Sequence, residues 1–213
     1  MTTTPKTILR IDASMRREQS VSRMLATELS DALGARKPSS SLVSRDLALG
    51  VGMVNEGWIT ANHQPEENRT STQRALLALS DALVAELKAA DVIIFAVPIY
   101  NFSIPAALKA WVDLIARSGT TYDFDAESYE STGLLVGKSA YAIITSGGTL
   151  AGSPHDFATG YLSHVLDFLG ISDVNMIDAT GVGRDRVNAL ARARAEIKDI
   201  AEARDRPTRK AAE

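Results

Sequence analysis

Val92-Ile93-Ile94-Phe95-Ala96-Val97-Pro98-Ile99-Tyr100-Asn101-Phe102 begins with six apolar residues, then a proline and a short exit carrying two aromatic rings. A strand that alternates has one wet face. A run with no polar residue has none, so 92–97 reads as a strand covered on both sides, as in a parallel sheet between helical layers. The flanking chain agrees. Upstream, Thr70 and Gln73 form a capping box opening a helix over 70–89, with Leu76, Leu79, Leu83 and Leu87 as its apolar stripe. Downstream, Pro105 suits a first helical position, and Leu108, Trp111, Val112 and Ile115 share one face of the helix it starts.

Nearer the termini, the same periodicities predict strands at 7–11, 41–45, 139–145 and 174–179, and helices at 22–33, 156–169 and 185–204. Val21, Leu25, Leu29 and Leu33 recur at i+4 on the first of these helices, and Gly34 follows as its C-cap. Residues 46–69 are poorly periodic, with a short helix around Trp58. A long loop after the Pro105 helix carries Tyr122, Phe124 and Tyr129, and residues 206–213 read as a frayed tail. Strand and helix therefore alternate throughout, which predicts an α/β fold: a three-layer sandwich whose parallel sheet lies between helices. Right-handed crossovers favour a five-stranded, flavodoxin-like order of 2-1-3-4-5, with ligands bound outside the carboxyl ends of the strands.

At 213 residues, with 45% hydrophobic and 23% charged residues and no break in composition, the chain reads as one domain over 1–213. It carries 23 Lys and Arg against 26 Asp and Glu, so nothing in its balance favours nucleic acid as a partner. The absence of cysteine excludes disulfides, Fe–S clusters and thiol redox chemistry. The polar start and the prolines interrupting 92–108 argue against a signal peptide or a membrane span, and point to the cytoplasm.

The predicted sheet order brings together the loops after its first, third and fourth strands. The first carries Ser14, Ser20 and Ser22, with Val21 between the last two, at a helix start. Three hydroxyls and the free N–H groups of a helix terminus suit a phosphate oxyanion, and Arg16 and Arg17 add positive charge. The second, Pro98, Ile99, Tyr100, Asn101 and Phe102, has no acid or base but offers a bent backbone and aromatic faces for a planar heterocycle. The third, Ser146, Gly147 and Gly148, has paired glycines that permit positive φ and let backbone approach a ligand. All three fit one flat, monophosphorylated molecule.

Other chemistries lack their residues. There is no G-x-G-x-x-G after the first strand and no G-x-S-x-G elbow. Residues 133–139 imitate a phosphate-binding loop but are one residue short and precede a strand. His63, His155 and His164 lack metal-ligand spacing.

The Ser14 with Ser20-Val21-Ser22 pattern, Pro98 to Phe102 with Leu108-Lys109 and 113–117, and Thr145-Ser146-Gly147-Gly148 together resemble the FMN-dependent NADH azoreductases and related quinone reductases. The resemblance spans about residues 8–203. It implies one FMN per subunit, its phosphate and ribityl end on Ser14, Ser20, Val21 and Ser22. Pro98 to Phe102 would then lie along the isoalloxazine, and Ser146 to Gly148 at its pyrimidine edge. It further implies a two-electron ping-pong reduction of quinones and azo compounds by NADH, with the flavin rather than a side chain as the reactive centre. The family pattern also implies a homodimer whose flavin sites lie at the interface; the irregular 46–69 segment, with Trp58, is a candidate to lie over the partner's site. Tyr100, Phe102, Tyr122, Phe124 and Phe157 are candidates for the acceptor slot, and His155 or Tyr122 for a proton donor. Two departures stand out: Val21 replaces the Gln of a Ser-Gln-Ser, and no Arg precedes the glycine pair. The alternatives are a flavodoxin-type electron carrier and a flavin-free interaction module.

Overall fold

A computed structural model describes residues 7–36 and 38–203, so the expectation of a frayed 206–213 lies outside the described residues. Five parallel strands form the main sheet: β1 (Thr7–Asp12), β2 (Ser41–Asp46), β3 (Val92–Pro98), β6 (Ser139–Thr145) and β7 (Asp173–Ala179). Their order is β2-β1-β3-β6-β7, as the alternation of elements predicts. The helices are α1 (Val21–Arg36), α2 (Glu56–His63), α3 (Ser71–Ala89), α4 (Ala106–Ile115), α5 (Thr159–Phe168) and α6 (Arg186–Glu202).

The unbroken apolar run of β3 divides its side chains between two cores. Ile93, Phe95 and Val97 point into the cluster under α3, α4 and α5, where Phe95 meets Trp111 edge-on at 5.8 Å. Val92, Ile94 and Ala96 point into the cluster with Leu25 and Leu29 of α1 and Ala193 and Ile197 of α6. That division is the period-2 geometry of a strand between two helical layers.

Several boundaries differ from expectation, each for a local reason. Gly34 does not end α1, which continues to Arg36; the Arg36 guanidinium bonds the carbonyls of Ile200 and Ala203 and ties the last turn to the end of α6. Thr70 and Gln73 make both bonds of the capping box, but the buried stripe of α3 is Leu77, Ser80, Leu83, Val84 and Leu87. Leu76 and Leu79 are partly exposed. They lie 3.3 Å from where a Cβ on Gly57 and Gly52 would stand, so the irregular 46–69 segment flanks them. Trp58 is buried in this chain's own core. Pro105 caps α4 with ψ 143 rather than opening it.

The largest difference is in the aromatic loop. It folds as an antiparallel hairpin of β4 (Tyr122–Phe124) and β5 (Ser131–Gly133). Tyr122 packs against Phe168 with ring centroids 4.6 Å apart and tilted by 49°, and belongs to the core margin, whereas Phe124 pairs with Tyr129 on the exposed hairpin.

Candidate functional site

β1 and β3 run in register to Asp12 and Ala96, and Ala13 N donates to Ala96 O at 3.1 Å, so the first loop leaves beside the central strand. Ser14, Ser20 and Ser22 are all buried. Ser20 begins α1 as an N-cap does: its carbonyl accepts from Met24 N at 3.0 Å, and Arg23 N donates to its hydroxyl at 3.4 Å. The Ser20 and Ser22 hydroxyls are 3.2 Å apart. The N–H groups of Val21 and Ser22 find no acceptor among the described residues. A helix start with serine hydroxyls and unclaimed donors is an oxyanion cradle.

The second loop meets the first through Tyr100, whose hydroxyl accepts from Met15 N at 3.2 Å and lies 3.4 Å from Ser14 Oγ. Its own shape is a two-residue turn. Tyr100 and Ser103 exchange backbone bonds of 2.9 and 3.1 Å around Asn101 at φ 47 and Phe102 at φ 75. Asn tolerates a positive φ; Phe does not, and holding it there costs about 1–3 kcal/mol. The strained Phe102 is nonetheless 55% exposed, so burying its ring does not repay that strain within this chain. Phe102 O accepts from Phe157 N at 2.9 Å, and its ring lies 6.1 Å from His155. Of the expected acceptor-slot aromatics, Tyr100, Phe102 and Phe157 thus come together with His155. Tyr122 goes to the core against Phe168, and Phe124 to the hairpin.

The third loop begins where Pro98 and Thr145 are paired, and Ile99 N donates to Thr145 O at 2.7 Å. Neither Gly147 nor Gly148 has a positive φ, so backbone freedom is not the reason for this pair. Open space is. A Cβ on Gly147 would meet nothing within 4 Å, and one on Gly148 only Arg184 Nε at 3.9 Å. The loop's other side is closed by a segment the sequence reading overlooked. Val182 N donates to Ser146 O and Gly183 N to Gly147 O, both at 2.9 Å, while Gly181 N reaches Ser146 Oγ at 3.3 Å. A Cβ on Gly183 would stand 2.7 Å from Gly147 O. The signal was present as Gly181-Val182-Gly183 directly after the last strand, beside the strand that carries the glycine pair.

A charged hub beneath the first loop was also missed. The Arg23 guanidinium grips Asp46 at 2.5 and 3.0 Å, donates to Ser14 O at 2.7 Å and lies 3.5 Å from Asp12. Burial pushes the Asp12 carboxyl up, against the pull of Arg10 and Arg23, whereas the Arg23 hydrogen bond holds Asp46 below its ordinary value. A depressed carboxylate contributes stability that is present above its unfolded pKa and lost as pH falls through its folded one. An Asp46→Asn protein should therefore be about 1.5–3 kcal/mol less stable at pH 7. The gap to the unmodified protein should narrow on acidification below about pH 4, as urea midpoints across that range would show.

The donor set fits a phosphomonoester joined to a flat ring: an amide and hydroxyl cradle, a bare glycine edge and exposed aromatic faces. Among the described residues no group of His, Asp and Glu could hold a metal ion.

The model of a family described as having a flavodoxin-like fold matches residues 6–201. The FMN-dependent NADH:quinone oxidoreductase 1 of Jannaschia sp. (strain CCS1) is 48% identical over 194 residues, 91% of this chain and 98% of that one. The FMN-dependent NADH:quinone oxidoreductase of Thiobacillus denitrificans is 51% identical over 172 residues, 81% of this chain and 83% of that one. A crystal structure of an FMN-dependent NADH-azoreductase from Bacillus anthracis in complex with FMN covers 92% of this chain and 97% of its own, with a TM-score of 0.82 at 22% identity, a likeness of fold. With a matching sheet order and close relatives aligned along nearly all of its length, this chain belongs to the flavodoxin-like family that holds the FMN-dependent NADH:quinone oxidoreductases.

Proposed function

We propose that the chain is an FMN-dependent NADH:quinone oxidoreductase that also reduces azo compounds, working as one flavin-binding domain. When bound, FMN supplies the two-electron relay from NADH to the acceptor, so the protein needs no acid–base pair of its own. Ser14, Ser20, Val21 and Ser22 would hold the phosphate, using hydroxyls and the unclaimed N–H groups of the α1 start. Pro98, Ile99, Tyr100, Asn101 and Phe102 would line the ring, and Ser146, Gly147 and Gly148 would meet its polar edge. Phe102 and Phe157 would shield the slot from water and stack on a flat acceptor, with His155 beside them as the nearest group able to move a proton.

One observation carries the reading: an amide cradle, a strained exposed Phe102 and a glycine edge facing open space share one end of one sheet. We further propose a cytoplasmic homodimer. Leu49, Met53, Ile59, Leu76 and Leu79 are exposed on the segment before α2, on α2 itself and on α3, which suits a contact between copies. No helix among the described residues is long and apolar enough to cross a membrane.

The purified chain is expected to be yellow, or to become so with FMN, to bleach when NADH is added without oxygen, and to regain its colour with a quinone. Light scattering should give twice the chain mass. A chain that stays colourless, with melting unmoved by FMN, would sink the enzyme reading in favour of an interaction module. Bleaching by dithionite but not by NADH would make it an electron carrier.

A further inference from the structure

Beside the first loop, a cleft of about 440 Å³ opens along α1 and is ringed by Arg10, Arg17, Arg23 and Arg186. Ser20, Met24 and Thr27 form its floor at i, i+4 and i+7, opposite the buried Leu25 and Leu29.

Its charges do not cancel. Arg10 pairs with Asp12 at 3.0 Å, and Arg23 with Asp46. Arg17, from the first loop, and Arg186, the first residue of α6, have no carboxylate within ion-pair distance among the described residues. Four arginines and a single carboxylate, Asp12, thus line the cleft in a chain whose formal net charge is −3.

We propose that this cleft receives the diphosphate of the dinucleotide hydride donor. The proposal rests on the FMN reading above and adds to it a seat for the donor. The Arg17 and Arg186 guanidiniums, neither in an ion pair within 4.0 Å among the described residues, can each bond a diphosphate in bidentate fashion. The volume suits a ribose diphosphate. None of Pro98 to Phe102 or Ser146 to Gly148 lines the cleft, nor do Ser14 and Ser22; of the residues expected around the phosphate it shares Arg17, Ser20 and Val21. It is thus a neighbouring compartment, where a second phosphorylated ligand can lie beside the first.

The test is calorimetric titration of the FMN-loaded chain with ADP, which carries the diphosphate without the nicotinamide. ADP should bind, compete with NADH and bind more weakly as salt rises. Arg17→Gln and Arg186→Gln, both at exposed positions, should each weaken ADP about tenfold, and Arg186→Gln, which lies outside the phosphate cradle, should leave FMN affinity and melting unchanged. Equal ADP affinity in all three proteins, or no ADP binding, would overturn the proposal. So would variants that lose FMN but keep ADP, because the cleft would then belong to the flavin phosphate. Failure of the FMN reading shows separately, as a chain that takes up no FMN; titrating that chain with ADP still reads the cleft.

Discussion

A Gly147→Val protein is expected to melt with the unmodified protein and to bind FMN about 10- to 100-fold more weakly. The first half follows from the fold. Gly147 has no positive φ, and its Cβ position has no protein atom within 4 Å, so a side chain costs the ligand-free chain nothing in contacts or backbone strain. The second half follows from what that space is for. Crowding a fitted site by a branched side chain costs about 1–3 kcal/mol, which is the stated loss in affinity. Gly183→Ala supplies the contrast. Its Cβ would press on Gly147 O at 2.7 Å, so the Gly147 turn has to move and both melting and FMN affinity should fall. Fluorescence titration of FMN with melting curves on both variants separates the two cases. Unchanged FMN affinity in Gly147→Val would mean that the ring edge does not lie at this turn.

The parts of the fold that were legible in the sequence are those in which one physical demand governs many residues. A strand without polar residues has to be covered on both faces, and Val92 to Val97 divides its side chains between two cores accordingly. Handed crossovers then leave few strand orders, which is why three loops far apart in sequence could be expected at one place. Periodicity was weaker at deciding which flank of a helix is buried. Leu76 and Leu79 lie on the same heptad-like pattern as Leu83 and Leu87, yet they end up beside Gly57 and Gly52, and only the path of an irregular segment decides that.

In the site, the chemistry of each loop was readable but its bracing was not. Ser146 and Gly147 are held by Val182 and Gly183 through backbone groups, which no side-chain pattern announces. Arg23 looks like an ordinary exposed helix residue in the sequence; its role as a clamp on Ser14 O depends on Asp46 arriving from the end of an edge strand. Tyr122 and Phe124 were unreadable for a different reason. They stand at i and i+2 of a short strand, where period 2 gives them one face, in a hairpin whose six-residue connection lacks the Asn-Gly or Asp-Gly pair that marks tighter turns; that one packs at the core margin and the other on the surface is set by where the hairpin meets α5, which no pattern announces.

That hairpin is the subject of the second large effect. Gly133→Ala should cost more than about 4 kcal/mol, or detach β4 and β5 from α5 altogether. A Cβ on Gly133 would fall 2.0 Å from Gly170 N and 2.3 Å from Leu169 C, both backbone atoms that cannot rotate away. Nor can the opposing backbone retreat. Gly170 N bonds Asp167 O and Ile171 N bonds Leu166 O, each at 2.8 Å, with Gly170 at φ 93. This is a Schellman end to α5, and it sets the chain's exit into the buried Ile171. Leu135 N bonds Leu169 O at 2.9 Å, so the two segments are tied beside the contact. Relief by sliding would break that bond and part Tyr122 from Phe168. Urea unfolding should show the loss as a lower midpoint. Should Gly133→Ala instead unfold within about 1 kcal/mol of the unmodified protein, the hairpin cannot be seated on α5 through this glycine pair.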